Sequence, residues 1–154
     1  MNIFFYETLV GIIGIAEENG KITHVNISQA KWPNDAVEKE TPILKEAAKQ
    51  LNEYFAGTRK VFTLPLAPKG TPFQLKVWAA LQTIPYGETA TYKEIAIKAG
   101  SPLGCRAVGM ANNKNPIGIV VPCHRVIGTN GKLVGYAGGL EVKAKLLNLE
   151  AVNK

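Results

Sequence analysis

A chain of 154 residues that is 46% hydrophobic can bury a sizeable core, and its length suits one domain or two small halves. No apolar run approaches the roughly 20 residues of a membrane helix. The opening MNIFFYETLV lacks the basic region of a signal peptide, and two cysteines make no disulfide framework, so membrane-spanning, exported and disulfide-stapled classes are set aside and a cytoplasmic protein is expected. The formal charge of +6 is uneven: residues 1–60 hold 7 Lys/Arg against 8 Asp/Glu, and residues 61–154 hold 11 against 4. A polyanionic partner for the second half would use that excess, and a generally basic protein fits it equally well.

In chain order, GIIGIAEENGKITHVNIS gives two β-rich runs around Asn19-Gly20, a strong hairpin signal. KWPNDAVEKE reads as a polar loop. In TPILKEAAKQLNEYFAG, Thr41 can cap a helix, Pro42 takes its first position and Gly57 ends it. The Pro-rich TRKVFTLPLAPKG reads as a linker, dividing an N-terminal α/β domain over 1–66 from a second domain over 67–154. TPFQLKVWAALQTI carries a capping box of Thr71 and Gln74, with Phe73, Val77, Leu81 and Ile84 on one helical face. Thr91 and Glu94 form a second capping box for TYKEIAIKAG, and Ser101-Pro102 can start a further helix over LGCRAVGMANN. Helix, short turn and helix outline a helix-turn-helix; two apposed core helices would look the same. Ala107, Gly109 and Ala111 keep the second of these helices slim and Arg106 stands near its start, which suits either a phosphate-lined groove or tight packing inside the protein. IGIVV reads as a buried strand leading to Pro122, and LEVKAKLLNLE as an amphipathic helix with Leu140, Ala144 and Leu147 one turn apart and Glu150 at its end.

The chemistry gathers in NPIGIVVPCHRVIG, residues 115–128. A buried cysteine is most often an inert apolar residue. His124 and Arg125 would be costly to bury unpaired, however, which makes this end of the apolar run a polar site. A neighbouring base or cation also raises the reactive thiolate fraction of Cys123. Neighbours on an extended segment point opposite ways, so His124 reaches the sulfur through a water unless the chain turns there. His124 would then need an acidic partner, and Glu150 is a late carboxylate free to serve. His24, His124, Cys105 and Cys123 show no metal-ligand spacing, so no metal is expected. A Cys-His hydrolase remains a rival that leaves the helix-turn-helix and the basic half unexplained.

PCHRV at 122–126, with NP at 115–116, YGETATY and RAVGMA, resembles the O6-alkylguanine-DNA alkyltransferases, the methylated-DNA–protein-cysteine methyltransferases of the bacterial type. The likeness is close over residues 71–150 and looser before them. It implies an α+β fold: an N-terminal α/β half with a β-hairpin, ribonuclease H-like, and a mainly helical C-terminal half holding the helix-turn-helix and the cysteine. It implies direct, single-turnover transfer of an alkyl group from O6-alkylguanine in double-stranded DNA to Cys123, without a cofactor, by a monomer, with O4-methylthymine as a further lesion of the same kind. By the same resemblance His124 is the relay histidine acting through water, Glu150 its partner and Asn115 the brace of the surrounding turns. Tyr92 lies by the flipped base and its phosphate. Arg106 is the finger that fills the duplex, on a slim helix in the minor groove, and Val126, Tyr136 and Ala137 line the guanine pocket. Ala137 departs from the serine that some members carry. The runner-up is a non-catalytic binder of alkylated DNA, whose relatives lack the cysteine.

Overall fold

The structure, a computed structural model, describes residues 1–27, 32–133, 135–136 and 138–154. Asn19 and Gly20 both adopt left-handed backbone, φ 55° and 78°, the turn whose twist matches a two-residue hairpin. They join β2 (Gly11–Glu18) to β3 (Lys21–Asn26) as the sequence predicts. Two further strands complete the sheet in the order β3-β2-β1-β4. β1 (Asn2–Thr8), for which the sequence predicts no element, runs antiparallel to β2. β4 (Val37–Glu38) pairs parallel with β1, so the expected polar loop contributes a short edge strand.

Helix α1 (Pro42–Phe55) begins behind Thr41 with proline at its first position, although the Thr41 side chain makes no capping bond. It lays Leu44, Ala47, Leu51 and Tyr54 against Ile13 and Ile15 of the sheet. The expected linker is docked along the free edge of β3: Ile22 N–H donates to Pro65 O at 2.9 Å, and Ala67 N–H donates to Ile22 O at 2.8 Å. Farther along that edge, Val25 N–H donates to Pro116 O at 2.9 Å and Gly118 N–H to Val25 O at 3.0 Å. Covering an edge removes unpaired backbone donors and acceptors. Here it also ties the segment preceding Cys123 to the N-terminal sheet, and one continuous core runs from Ile13 through Val77 and Ile95 to Leu146.

Helices α2 (Pro72–Leu81) and α3 (Tyr92–Lys98) carry both capping boxes as predicted, each N-cap threonine accepting from the third helical backbone N–H. Helix α4 (Cys105–Asn113) starts later than expected, because Ser101–Gly104 close a turn in which Gly104 N–H donates to Ser101 O at 2.8 Å. The segment IGIVV is not a strand. Apart from one bridge at Ile117 it is a set of buried turns in which Ile119 has φ 69°, and an apolar run alone does not distinguish the two. Helix α5 (Leu140–Val152) buries Lys143, Leu146 and Glu150, whereas Leu140 and Ala144 of the expected stripe face outward. Among the described residues no helix is long and apolar enough to cross a membrane.

Candidate active site

Cys123–Arg125 form one turn of 3-10 helix, followed by β6 (Val126–Ile127), which pairs parallel with β5 (Ala90–Thr91). The chain does turn at the cysteine, so Cys123 and His124 are not the opposed neighbours of an extended segment. The pairing of β6 with β5 also fixes the turn beside Tyr92, the first residue of α3. Asn115 holds the approach to it: its Nδ2 donates to Val121 O at 2.8 Å and Ile117 O at 3.3 Å, and its Oδ1 accepts from Ile117 N–H at 3.0 Å. Asn112 Nδ2 donates to Cys123 O at 3.4 Å.

Glu150 is the electrostatic centre. Its Oε2 lies 2.6 Å from His124 Nε2 and accepts from Tyr54 OH at 2.6 Å and Arg125 Nη2 at 3.1 Å. Its Oε1 accepts from Arg125 Nε at 2.8 Å and Gly87 N–H at 3.2 Å. Arg125 Nη1 donates to Ile84 O at 2.7 Å, so the guanidinium is held by both the carboxylate and the backbone. Burial opposes the charge on Glu150, but hydrogen bonds from His124, Arg125 and Tyr54 outweigh it and hold the carboxyl down to about 2. An ionised carboxylate only accepts, so His124 carries a proton on Nε2; burial lowers the basicity of the ring, despite Glu150, and keeps it neutral. His124 Nδ1 is buried and has no hydrogen-bond partner among the described residues.

Burial likewise raises the Cys123 thiol, against lowering by a hydrogen bond from Asn115 and by the Lys143 charge. The thiol is therefore protonated at rest, and ionising it requires a base. Lys143 enters from α5, fully buried, with Nζ donating to Gly135 O at 3.3 Å. A cavity of about 50 Å³ adjoins the sulfur, lined by Asn112, Asn115, Tyr136 and Gly138 among others, room for about one or two waters. Tyr136, which the resemblance gives to a guanine pocket, is one of the residues that line this cavity. Val126 is buried but is not part of that lining, and Ala137 lies outside the described residues.

Tyr92 is half-buried, and burial and the Cys123 charge both raise its phenol. A Cβ on Gly109 would stand 3.8 Å from the Tyr92 ring, so α4 crosses α3 at that glycine. Arg106, Ala107 and Met110 are exposed on the outer side of α4, while Val108, Ala111 and Asn112 are buried. Ala111 is corrected by this placement: Trp78 Nε1 donates to its carbonyl at 2.9 Å, and its methyl belongs to the core. An α4 with one open face favours the helix-turn-helix over a pair of core helices.

The structure brings Cys123, His124, Asn115, Tyr92 and Glu150 together and leaves Arg106 and Ala107 apart on the surface. Sequence reasoning gave no role to Tyr54, Asn112 or Lys143 and no partner to Arg125. Lys143 had a signal, standing seven residues before Glu150 and so on the same side of α5. Tyr54, 96 residues away in sequence from its partner, had none. Cys105 is exposed and lies outside this cluster.

Residues 72–152 match the family model "6-O-methylguanine DNA methyltransferase, DNA binding domain", and residues 3–68 match "6-O-methylguanine DNA methyltransferase, ribonuclease-like domain". A constitutive methylated-DNA–protein-cysteine methyltransferase of Bacillus subtilis is 54% identical over 154 residues, covering 96% of this chain and 93% of the relative. One from Methanosarcina acetivorans is 52% identical over 149 residues, covering 94% and 95%. The crystal structure of Mycobacterium tuberculosis OGT in complex with DNA superposes with a TM-score of 0.94 at 42% identity, over 99% of this chain and 94% of that one. With the ribonuclease-like sheet, the helical half and both family models in register along the chain, the protein belongs to the 6-O-methylguanine DNA methyltransferase family.

Proposed function

We propose that this protein repairs double-stranded DNA by moving the alkyl group of O6-alkylguanine onto Cys123 Sγ, once per molecule, as a monomer that needs no cofactor; O4-methylthymine offers the same chemistry. The observation that carries the reading is a buried thiol beside a neutral histidine whose other nitrogen is locked onto an ionised carboxylate. Such a histidine takes the thiol proton at Nδ1 through a water, and Glu150 stabilises the imidazolium that results. The thiolate attacks the alkyl carbon in line, the C–O bond breaks with its electron pair on the purine, and the Tyr92 hydroxyl helps to protonate the leaving base. The product is a thioether with no carbonyl for water to attack, so nothing regenerates the cysteine.

The lesion faces the interior of a duplex and must be flipped out, at a cost of a few kcal/mol. The open face of α4 supports the rest: Arg106 fills the vacated stack, and Ala107 and Gly109 let the helix approach the minor groove. Tyr136 forms part of the base pocket. A non-catalytic binder would have no use for a cysteine held in this way. The test is Cys123→Ala, compared with the parent protein for label transfer from O6-methylguanine duplex and for duplex binding by gel shift. Transfer should vanish while binding stays within about twofold, and residual transfer by the variant would defeat the assignment.

A further inference from the structure

The hydroxyl of Tyr54 has an unusual destination. Tyr54 lies near the end of α1, in the N-terminal half, and is fully buried. Its ring is wedged among Phe55, Phe62 and Tyr86, with centroids 5.5, 5.6 and 6.2 Å away. A phenylalanine would fill that site as well, and a buried hydroxyl is costly unless it is bonded. This one donates at 2.6 Å to Glu150 Oε2, the same oxygen that accepts from His124 Nε2–H.

We infer that Tyr54 is a positioning residue of the alkyl-transfer site: its hydroxyl fixes the Glu150 carboxylate and thereby sets the orientation and basicity of His124. The inference rests on the reading of Cys123 and His124 above. Burial and the neighbouring Glu150 push the Tyr54 phenol far above its ordinary range, so it remains a donor at every working pH. Arg125 supplies the counter-charge but spans both carboxylate oxygens, whereas Tyr54 loads Oε2 alone. Without the phenol, negative charge concentrates on Oε2 beside the imidazole. The other charged or titratable groups around His124 are Arg125 on its own turn, Lys143 and Glu150 on α5, Cys123, Tyr86 and Tyr136. None of them replaces the lost donor to Oε2, so the imidazole should bind a proton more readily. Because only the neutral ring can accept the thiol proton, the acid limb of the reaction should move to higher pH.

The test is Tyr54→Phe in the full chain, with ring ¹⁵N signals followed by NMR across pH. The chain has only two histidines, and His24 on β3 serves as the internal control. The expected result is a displaced His124 signal with protonation at higher pH, unchanged His24, and methyl transfer slowed about tenfold, the factor for one hydrogen bond to a charged group. If the variant does not fold, the parent protein with 3-fluorotyrosine at position 54 alone, a stronger donor of similar size, should move the His124 signals in the opposite direction. His124 signals identical to the parent's at every pH would overturn the inference and reduce Tyr54 to packing. This readout needs no alkyl transfer, so an inactive parent would count against the functional reading and leave the Tyr54 result standing.

Discussion

At Glu150, donors arrive from α1, from the turn after α2 and from the cysteine turn, and the carboxylate, the imidazole and the guanidinium are all buried. On the outer side of α4, Arg106, Ala107 and Met110 are exposed. The difference separates two ways of storing function. A buried charge network is costly to assemble and destructive to break, because any partner left behind is an uncompensated charge in low dielectric. An exposed arginine contributes almost nothing to the free protein and keeps its interactions for the partner that arrives.

That contrast can be broken most forcefully at Glu150. Glu150→Ala leaves Arg125 and Tyr54 buried without their acceptor and should cost about 3–5 kcal/mol, a fall of roughly 10 °C in melting temperature for a chain of this size. Arg106→Ala should change stability by less than about 0.5 kcal/mol. Calorimetry on the two variants decides it, and equal losses would erase the distinction.

Acid provides the next largest effect. The Glu150 carboxyl is depressed from 4.5 to about 2, so its contribution is fully present above pH 4.5 and is lost as pH falls toward 2, about 3 kcal/mol in all. His124 acts in the same direction, since its lowered basicity lets the unfolded chain take up a proton near pH 6.5 that the folded chain refuses. The parent protein should therefore lose stability steadily from pH 7 to pH 3, and Glu150→Gln should lack the part of that slope below pH 4.5. Parallel slopes in chemical denaturation would show that the network does not carry the acid sensitivity.

The smallest effect lies on the exposed side. With Arg106 proposed as the residue that fills the stack, Arg106→Ala should slow repair of a paired lesion about tenfold and leave a single-stranded lesion nearly unaffected, because such a finger matters only where a stack must be held open. Single-turnover rates on both substrates measure it, and equal slowing would make Arg106 a phosphate contact.

What the sequence makes legible follows a similar divide. The Asn19-Gly20 hairpin, Pro42 at its helix start and both capping boxes rest on residues within four positions of one another, and each takes its expected form. IGIVV departs from its expected strand because bonds from outside the run overrule its extended look: Asn115 folds it back, and the β3 edge holds Pro116 and Gly118. The expected stripe on α5 is not its buried side, because that helix has apolar residues on several sides. Its rotation is set by Lys143 and Glu150, which the site draws inward. Cys123, His124 and Glu150 were legible as residue types that need one another. Tyr54 was not, since nothing local marks a tyrosine whose polar partner lies near the far end of the chain.

Alkyl transfer to Cys123 is tested most directly by where the alkyl group goes. After the protein reacts with duplex DNA carrying one O6-methylguanine per strand, peptide mass spectrometry should find a single added methyl on the peptide containing Cys123, rising to one per chain and no further, with Cys105 unmodified. A methyl on Cys105, or free guanine released with no mass added to Cys123, would contradict it.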